Sequence, residues 1–221
     1  MKILSFCSEN LNENMYCICE NAHYLIIDPF WCASFKEQLE PLGKLDYIIL
    51  THEHYDHISG VNEIKANFGG EVLASSECAS RIKSPTKNFS RYFDAYCTIQ
   101  QGAKTDITTI THEYTTCAQK VFDGQLTIEW LGHTIDLHET PGHTPGSICI
   151  LLDNMYLFSG DSLLQGGLPI TRFPGGSRVQ FETISMPYLR SLNKDIMVYP
   201  GHGDTFLLSE HEINQKNACH E

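Results

Sequence analysis

Basic side chains are scarce in this 221-residue sequence, which has 15 Lys and Arg against 27 Asp and Glu and a formal net charge of −12. Nucleic-acid grooves and surfaces that bind anionic membranes favour basic protein, so we expect no nucleic acid and no membrane as partner. The sequence also contains no run of about 18 apolar residues, the length that a membrane-spanning helix needs. The first residues include a charge, but the apolar stretch after it stops too soon for a secretory signal.

The nine cysteines form no C-x-x-C pair, which argues against a Cys₄ zinc site or a thioredoxin-like motif. Their number is odd and they are scattered, whereas disulfide-stapled secreted domains are shorter and usually pair their cysteines evenly. We therefore expect reduced thiols and a cytoplasmic location. The G-x-S-x-G elbow of serine hydrolases is missing as well.

What the sequence does contain is a dense set of possible metal ligands, T-H-E-H-Y-D-H at residues 51–57. A continuous apolar run precedes it and predicts a buried strand, so the ligands emerge where this strand ends. Side chains two apart in extended chain point the same way, which predicts that His52, His54 and Asp56 share one side. A turn would bring His57 in from another angle. Imidazole and carboxylate suit Zn²⁺, Fe²⁺ and Mn²⁺.

Three further ligand residues each lie where a predicted strand runs into a glycine-containing turn. They are His143 in P-G-H-T-P-G-S, Asp161 in S-G-D and His202 in P-G-H-G. A glycine beside a ligand lets the backbone approach a crowded centre. With the first stretch they make seven ligands, the number expected for two metals that share one carboxylate.

The alternation of predicted strands and helices up to about residue 83 favours an α/β layered domain. From residue 121 the pattern becomes rich in β-strands, and residues 178–193 read as a helix in which Pro187 is a candidate kink. Residues 84–120 are polar and aperiodic. We interpret them as an insertion or lid over the site, with at most short helices and with Tyr92, Phe93 and Tyr96 as apolar contacts.

These motifs resemble the metallo-β-lactamase superfamily, on its glyoxalase II-like branch. T-H-x-H-x-D-H, P-G-H-T-P-G-S, S-G-D and P-G-H-G occur in the family's order, and the resemblance runs from Met1 to about Asn217. It implies a single domain over residues 1–221, an α/β four-layer αββα sandwich with two divalent metal ions at one edge. Zinc is the expected metal, with iron and manganese as alternatives. The implied ligands are His52, His54 and His143 for one metal, Asp56, His57 and His202 for the other, and Asp161 between them.

The resemblance and the ligand set together predict a metallo-hydrolase that uses a metal-bridging hydroxide to cleave an acyl bond, a thioester or similar ester, of a small molecule. Asp56 is expected to orient the hydroxide as well as to bind metal. Asp28, at a strand end, is a candidate support for a ligand histidine. Tyr55 is a candidate to flank the pocket, and Arg172 a candidate to meet an anionic substrate. A homodimer is left open.

Two departures from the glutathione-thioesterase members leave the substrate open. The sequence ends soon after P-G-H-G, without the helical domain that supplies basic glutathione contacts there, and the interval that contains residues 84–120 is long. One alternative is a mononuclear iron enzyme similar to the persulfide dioxygenases of this superfamily, with His52, His143 and Asp161 as ligands. Another is a catalytically silent binding protein, which would predict eroded ligands.

Overall fold

The apolar runs of the sequence form two six-stranded sheets, in a computed structural model that describes residues 1–8, 13–32, 34–100 and 113–214. The first sheet has the strand order β1-β2-β3-β4-β5-β6 and the second the order β12-β11-β10-β9-β8-β7. The strands of the first are β1 (Lys2–Cys7), β2 (Asn14–Glu20), β3 (His23–Ile27), β4 (Lys44–Ile49), β5 (Glu71–Ser75) and β6 (Lys120–Phe122). Those of the second are β7 (Gln125–Trp130), β8 (His133–Glu139), β9 (Ile148–Leu152), β10 (Tyr156–Gly160), β11 (Met197–Pro200) and β12 (Phe206–Leu207).

Helices cover the outer face of each sheet. The α-helices are α1 (Phe35–Leu39), α2 (Tyr55–Ile58), α3 (Val61–Phe68), α4 (Ser76–Arg81), α5 (Ser90–Gln100), α6 (Arg178–Gln180) and α7 (Met186–Ser191). Single 3₁₀ turns are formed by Glu40–Leu42, Leu208–Glu210 and Glu212–Asn214. Helices α1 to α4 pack on the first sheet, and α7 packs on the second. The expected αββα sandwich is confirmed.

The central strands are apolar on both faces because each face is covered. In β4, Ile48 packs among the helices outside the first sheet, while its neighbour Ile49 lies in the layer between the two sheets. In β9, Ile150 faces that same inner layer and Leu151 faces the helices outside the second sheet. Each such side chain contributes roughly 1.5–3 kcal/mol by leaving water. This two-sided burial explains why the strands appear in the sequence as continuous apolar runs.

The strand directions bring one set of strand ends to one edge. Strand β9 is antiparallel to both β8 and β10, so β8 and β10 run the same way, and β11 is parallel to β10. In the first sheet, β4 is parallel to β3 and β5. Ligand-bearing loops follow β4, β8, β10 and β11, and their meeting is what assembles the site.

The predicted helix over residues 178–193 is interrupted just before Pro187. A π-helical turn, Phe181–Ser185, lies between α6 and α7. Pro187 has no N–H to donate, and its ring would press on the carbonyl of Thr183 four positions earlier. Widening the preceding turn relieves that contact, so the expected kink takes the form of a π turn.

Residues 84–120 contain more helix than expected. Helix α5 has 11 residues, and the side chain of Asn88 accepts a hydrogen bond from Ser90 N at its start (2.9 Å). Residues 101–112 of the predicted lid lie outside the described ranges. None of the seven cysteines whose side chains are described forms a disulfide. Within those same ranges no helix combines the length and the apolarity needed to cross a lipid bilayer.

Candidate metal centre

Six of the seven predicted ligands form two compact groups at this edge. The ligand atoms of each group all lie within 4.8 Å of one another. Helix α2 carries two of the ligands, which is why the tight spacing of the motif delivers side chains from different angles. The groups are His52 with His54 and His143, and Asp56 with His57 and His202.

Asp161, the seventh predicted ligand, lies between the two groups. Its Oδ2 is 3.4 Å from His143 Nε2 in the first group and 3.7 Å from His202 Nε2 in the second. Its Oδ1 is 3.5 Å from His57 Nε2. One carboxylate thus faces both groups, as the sequence predicted for a shared ligand.

Two glycines are required for this approach. A Cβ on Gly201 would lie 2.4 Å from Asp161 Oδ1 and 2.6 Å from His57 Cε1. Gly160 has a left-handed φ of +49°, and a Cβ there would lie 2.4 Å from Thr51 Oγ1. Any larger side chain at either position would push the ligands apart, which explains the glycines in S-G-D and P-G-H-G.

Asp28, the predicted supporting residue, is hydrogen-bonded to one candidate ligand ring and to Thr51, which precedes another. Its Oδ2 accepts hydrogen bonds from His57 Nδ1 (2.9 Å) and from Thr51 Oγ1, and its Oδ1 accepts from Thr51 N (2.7 Å). Because Thr51 donates its only hydroxyl proton to Asp28, His52 Nδ1 (3.1 Å from Thr51 Oγ1) must be the donor in that contact. The Nε2 atom of His52 is therefore left with a lone pair for a metal, and that of His57 has one when the ring is neutral. The backbone of Asp28 is left-handed (φ +51°), which supports a functional placement.

His143 is oriented in the same manner from a different loop. Its Nδ1 donates to the carbonyl oxygen of Ile170 (2.7 Å). Its Nε2 then points at His54 Nδ1 (3.0 Å) and at Asp161. A backbone carbonyl that accepts from the far ring nitrogen is a common way of fixing a metal-binding histidine.

The two groups differ in their protonation. Burial lowers the pKa of His52, as do the imidazoles around it, and burial and His143 lower the pKa of His54 to about 3. Burial also opposes a charge on His57, but Asp56, Asp161 and Asp28 outweigh it and raise its pKa to about 10. His52 and His54 of the first group are therefore neutral imidazoles at neutral pH, whereas His57 of the second is protonated when no cation is present.

The residues fit divalent metal ions on their own geometry. His52 Nε2 and Asp161 Oδ1 are buried and have no hydrogen-bond partner among the described residues. An unsatisfied buried acceptor is costly, and here two of them face the place where the other imidazole nitrogens converge. Imidazole and carboxylate ligands of this number suit zinc, iron and manganese.

Glu53 is a supporting residue that the sequence interpretation did not single out. It is buried, its Oε2 accepts from Thr144 Oγ1 (2.8 Å), and its Oε1 is 3.5 Å from Arg81 Nε. Since Thr144 is next to His143, Glu53 ties the two ligand loops together. The alternation within H-E-H places Glu53 opposite His52 and His54. This alternation was the only feature of the sequence that could have indicated a supporting role for Glu53.

The other two candidates lie at the rim. The ring of Tyr55 packs edge-on against Phe93 of α5 (4.8 Å) and against Tyr114 (5.4 Å), so Tyr55 attaches the lid segment to the domain. Burial raises its pKa to about 12. Arg172 is exposed in the loop that follows Asp161, and its contact with an anionic substrate stays a prediction, as does a pocket role for Tyr55.

The fold and the two groups define the class of αββα proteins with His and Asp metal-binding groups at one edge of the sandwich. A sequence profile of the metallo-beta-lactamase superfamily matches residues 9–202. The chain belongs to this superfamily, which its motifs had predicted.

Curated relatives include several thioester hydrolases by name. Hydroxyacylglutathione hydrolase GloC of Haemophilus influenzae is 29% identical, over 80% of this chain and 79% of that protein. A hydroxyacylglutathione hydrolase of Psychromonas ingrahamii is 29% identical over 90% of this chain, which spans only 65% of that longer relative. The probable metallo-hydrolase YqgX of Bacillus subtilis is 27% identical over 92% of each chain.

Solved structures share the fold over nearly the whole chain. The BLEG-1 B3 metallo-beta-lactamase matches with a TM-score of 0.77 and 22% identity, over 98% of each chain. ETHE1 from Myxococcus xanthus matches with a TM-score of 0.73 and 22% identity, over 99% of this chain and 85% of that one. TTHA1623 in a di-iron-bound form matches with a TM-score of 0.72 and 20% identity, over 97% of this chain and 98% of that one. At these identities the likeness establishes the fold.

Proposed function

We propose that this protein is a metal-dependent hydrolase that cleaves an acyl bond, a thioester or similar ester, of a small molecule. The observation that carries the proposal is the meeting of both ligand groups at Asp161, with buried, unpartnered His52 Nε2 and Asp161 Oδ1 between them. Names of relatives such as hydroxyacylglutathione hydrolase support thioester cleavage. Two divalent ions, zinc in this proposal, would supply a water of lowered pKa and a Lewis acid for the carbonyl oxygen.

The chain's own residues would position this chemistry. Asp161 would be shared by the two groups, and Asp28 would keep His57 in the tautomer that leaves Nε2 free. Asp56 lies in the partly open part of the site, 3.4 Å from His202 Nε2. There it can bind metal and also accept a hydrogen bond from the attacking water, which orients that water towards the acyl carbon.

Three nearby hydroxyl groups, those of Ser159, Ser162 and Thr144, are engaged away from imidazoles, which supports hydrolysis without a protein nucleophile. Ser159 Oγ donates to Leu163 O (2.8 Å), Ser162 Oγ lies 3.0 Å from Thr140 Oγ1, and Thr144 Oγ1 donates to Glu53. A serine or threonine needs an adjacent base to become a nucleophile. The attacking oxygen is therefore proposed to come from water.

Solvent ¹⁸O and metal analysis test the proposal together. Protein purified without a His tag is assayed for metal content and then offered thioester, lactone and phosphodiester substrates. We expect hydrolysis of a thioester or ester, loss of activity on chelation, recovery with Zn²⁺ or Mn²⁺, and solvent oxygen in the acid after one turnover. An acyl group trapped on Ser or Cys, or full activity without metal, would overturn it. Oxygen uptake with a persulfide as substrate would instead support the alternative of a mononuclear iron oxygenase.

We also propose that residues 84–120 act as a lid at the mouth of the site. Among the described residues, Phe89 at the start of this segment lies 5.9 Å, ring to ring, from His54. A product analogue should slow proteolytic cleavage within residues 84–120 and leave cleavage elsewhere unchanged. Equal cleavage rates with and without the analogue would remove the lid from the proposal.

A further inference from the structure

Two phenylalanine rings lie directly against ligand imidazoles of the first group. Phe173 is 5.6 Å from His54 and 6.0 Å from His143 between ring centroids, and Phe89 is 5.9 Å from His54. Phe89 and Phe173 contact each other at 5.6 Å, and Tyr96 of α5 lies 5.9 Å from Phe173. We call Phe89, Phe173 and Tyr96 the aromatic wall.

The backbone holds Phe89 in an unfavourable conformation. Its φ is +69°, a region that bulky residues rarely adopt. The buried side chain of Asn88 imposes it, because Nδ2 donates to Tyr114 O (2.8 Å) while Oδ1 accepts from Ser90 N. Strain of this kind is kept chiefly at functional sites. The ring of Phe89 is therefore placed over His54 at a cost in conformational free energy, and core packing alone does not require such a strained backbone.

The wall is a surface that still has room for a ligand. Phe89, Phe173 and Tyr96 are each half-buried, so part of every ring faces outward although the rings border the most buried part of the site. Apolar surface next to convergent polar groups is typical of a small-molecule site. The wall offers ring faces and edges and carries no charge.

The opposite flank is acidic. Glu13 is 3% exposed, and its Oε2 has no hydrogen-bond partner among the described residues. It is close enough to Asp56 and His57 to interact with both electrostatically. Glu13 itself offers no positive charge to an anionic substrate group, and the net charge of −12 does not favour one.

We propose that the aromatic wall binds an aryl or bulky apolar acyl group, so that the substrates are neutral thioesters or esters with such a group beside the scissile carbonyl. The inference rests on the proposed hydrolase function and names its substrate class. Phe89 and Phe173 are the specificity-determining residues. Small hydroxyacyl groups such as lactoyl would leave the wall uncovered and bind less well.

A pair of substrates with one common thiol tests this. Phenylacetyl and lactoyl thioesters of N-acetylcysteamine are compared by kcat/KM on metal-loaded protein. We expect a preference of about tenfold or more for phenylacetyl, and a loss of about tenfold in that preference in Phe89→Asn and in Phe173→Ala. Asn tolerates positive φ, so Phe89→Asn removes the ring without adding strain. Tyr188→Ala, which removes a half-buried ring that stacks on His138, should keep the preference.

Binding of the free acids provides a readout apart from turnover. Calorimetry on metal-loaded protein should show phenylacetate binding more tightly than lactate, with the advantage lost in Phe89→Asn. A preference for lactoyl, or an unchanged preference in both wall variants, overturns the inference while leaving the hydrolase intact. Failure to cleave either thioester overturns the hydrolase, and phenylacetate binding that depends on Phe89 would then still support the wall.

Discussion

The two ligand groups are neighbours with the same number of side chains, but they place different demands on a cation. The first group consists of three imidazoles, those of His52, His54 and His143, and burial lowers the pKa of His52 and of His54. The other group contains a carboxylate, and it contains His57, whose pKa is raised to about 10. A cation that enters the first group displaces no proton from His52 or His54. In the second it must displace one, and it gains a negative ligand in return.

The groups also differ in their outer support. In the first group, His143 is held by a backbone carbonyl. In the second, His57 is held by the Asp28 carboxylate, itself fixed by two bonds from Thr51. A carboxylate partner raises the basicity of a ligand imidazole more than a carbonyl does. We therefore expect metal binding in the second group to depend more on the charge of its supporting residue than metal binding in the first group does. Substitutions can separate the two groups.

The largest effect is expected at Asp161, which faces both groups. Asp161→Ala should deplete metal from both positions and abolish hydrolysis, because neither group retains the shared carboxylate. His202→Ala is the matched control and should deplete mainly the second group. Metal content per chain, measured after dialysis, checks both variants. Retention of two metals per chain in Asp161→Ala would show that the carboxylate is not shared.

A smaller and one-sided effect is expected at Asp28. Asp28→Asn keeps a residue that tolerates the observed φ of +51° but removes the charge that holds His57. Metal affinity of the second group should fall about 10- to 100-fold, and that of the first group should fall less, because Asp28 reaches His52 only through Thr51. Competition with a chromophoric chelator measures both affinities. An equal loss at the two positions would contradict the assignment of Asp28 to His57.

The pH dependence of metal binding should separate the groups without any substitution. His57 has a raised pKa of about 10, so protons compete with metal at every pH below that value, and affinity at the second group should rise steadily with pH through neutrality. The pKa of His54 is lowered to about 3 and that of His52 is also lowered, so affinity at the first group should depend less on pH there. Metal titrations at several pH values check this, and parallel curves for both positions would contradict it.

The last effect concerns Glu53, which links the two ligand loops, and it acts on folding stability and not on the metal ligands themselves. Burial raises its pKa to about 7 from 4.5, against hydrogen bonds and Arg81 that lower it. The folded protein thus holds this proton more tightly than the unfolded chain. Stability is fully present below pH 4.5 and is lost as pH rises to about 7, by roughly 3 kcal/mol. In metal-free Glu53→Gln this loss should be absent from urea unfolding curves, whereas an unchanged pH dependence would assign it to another group.

Much of the fold and the positions of the seven candidate ligands depend on local features that a sequence displays. A possible ligand such as His143 or Asp161 that follows a predicted strand and lies beside a glycine indicates where the strand ends. The glycine also indicates that the backbone bends there. Two-sided burial of β4 makes Ile48 and Ile49 both apolar, which predicts a covered strand. Order and spacing of these motifs were enough to predict the superfamily.

Other features depend on residues that are distant along the chain, and no local pattern carries them. Phe89 and Phe173 meet over His54 only because the lid segment and the loop after Asp161 fold to the same edge. Glu53 reaches Thr144 in the same way. The sequence by itself determined the candidate ligands, the layers and the superfamily, because these follow from residue type and short spacing. Only the tertiary structure decided the aromatic wall and the hydrogen bond from Thr144 to Glu53, because both depend on which surfaces pack together.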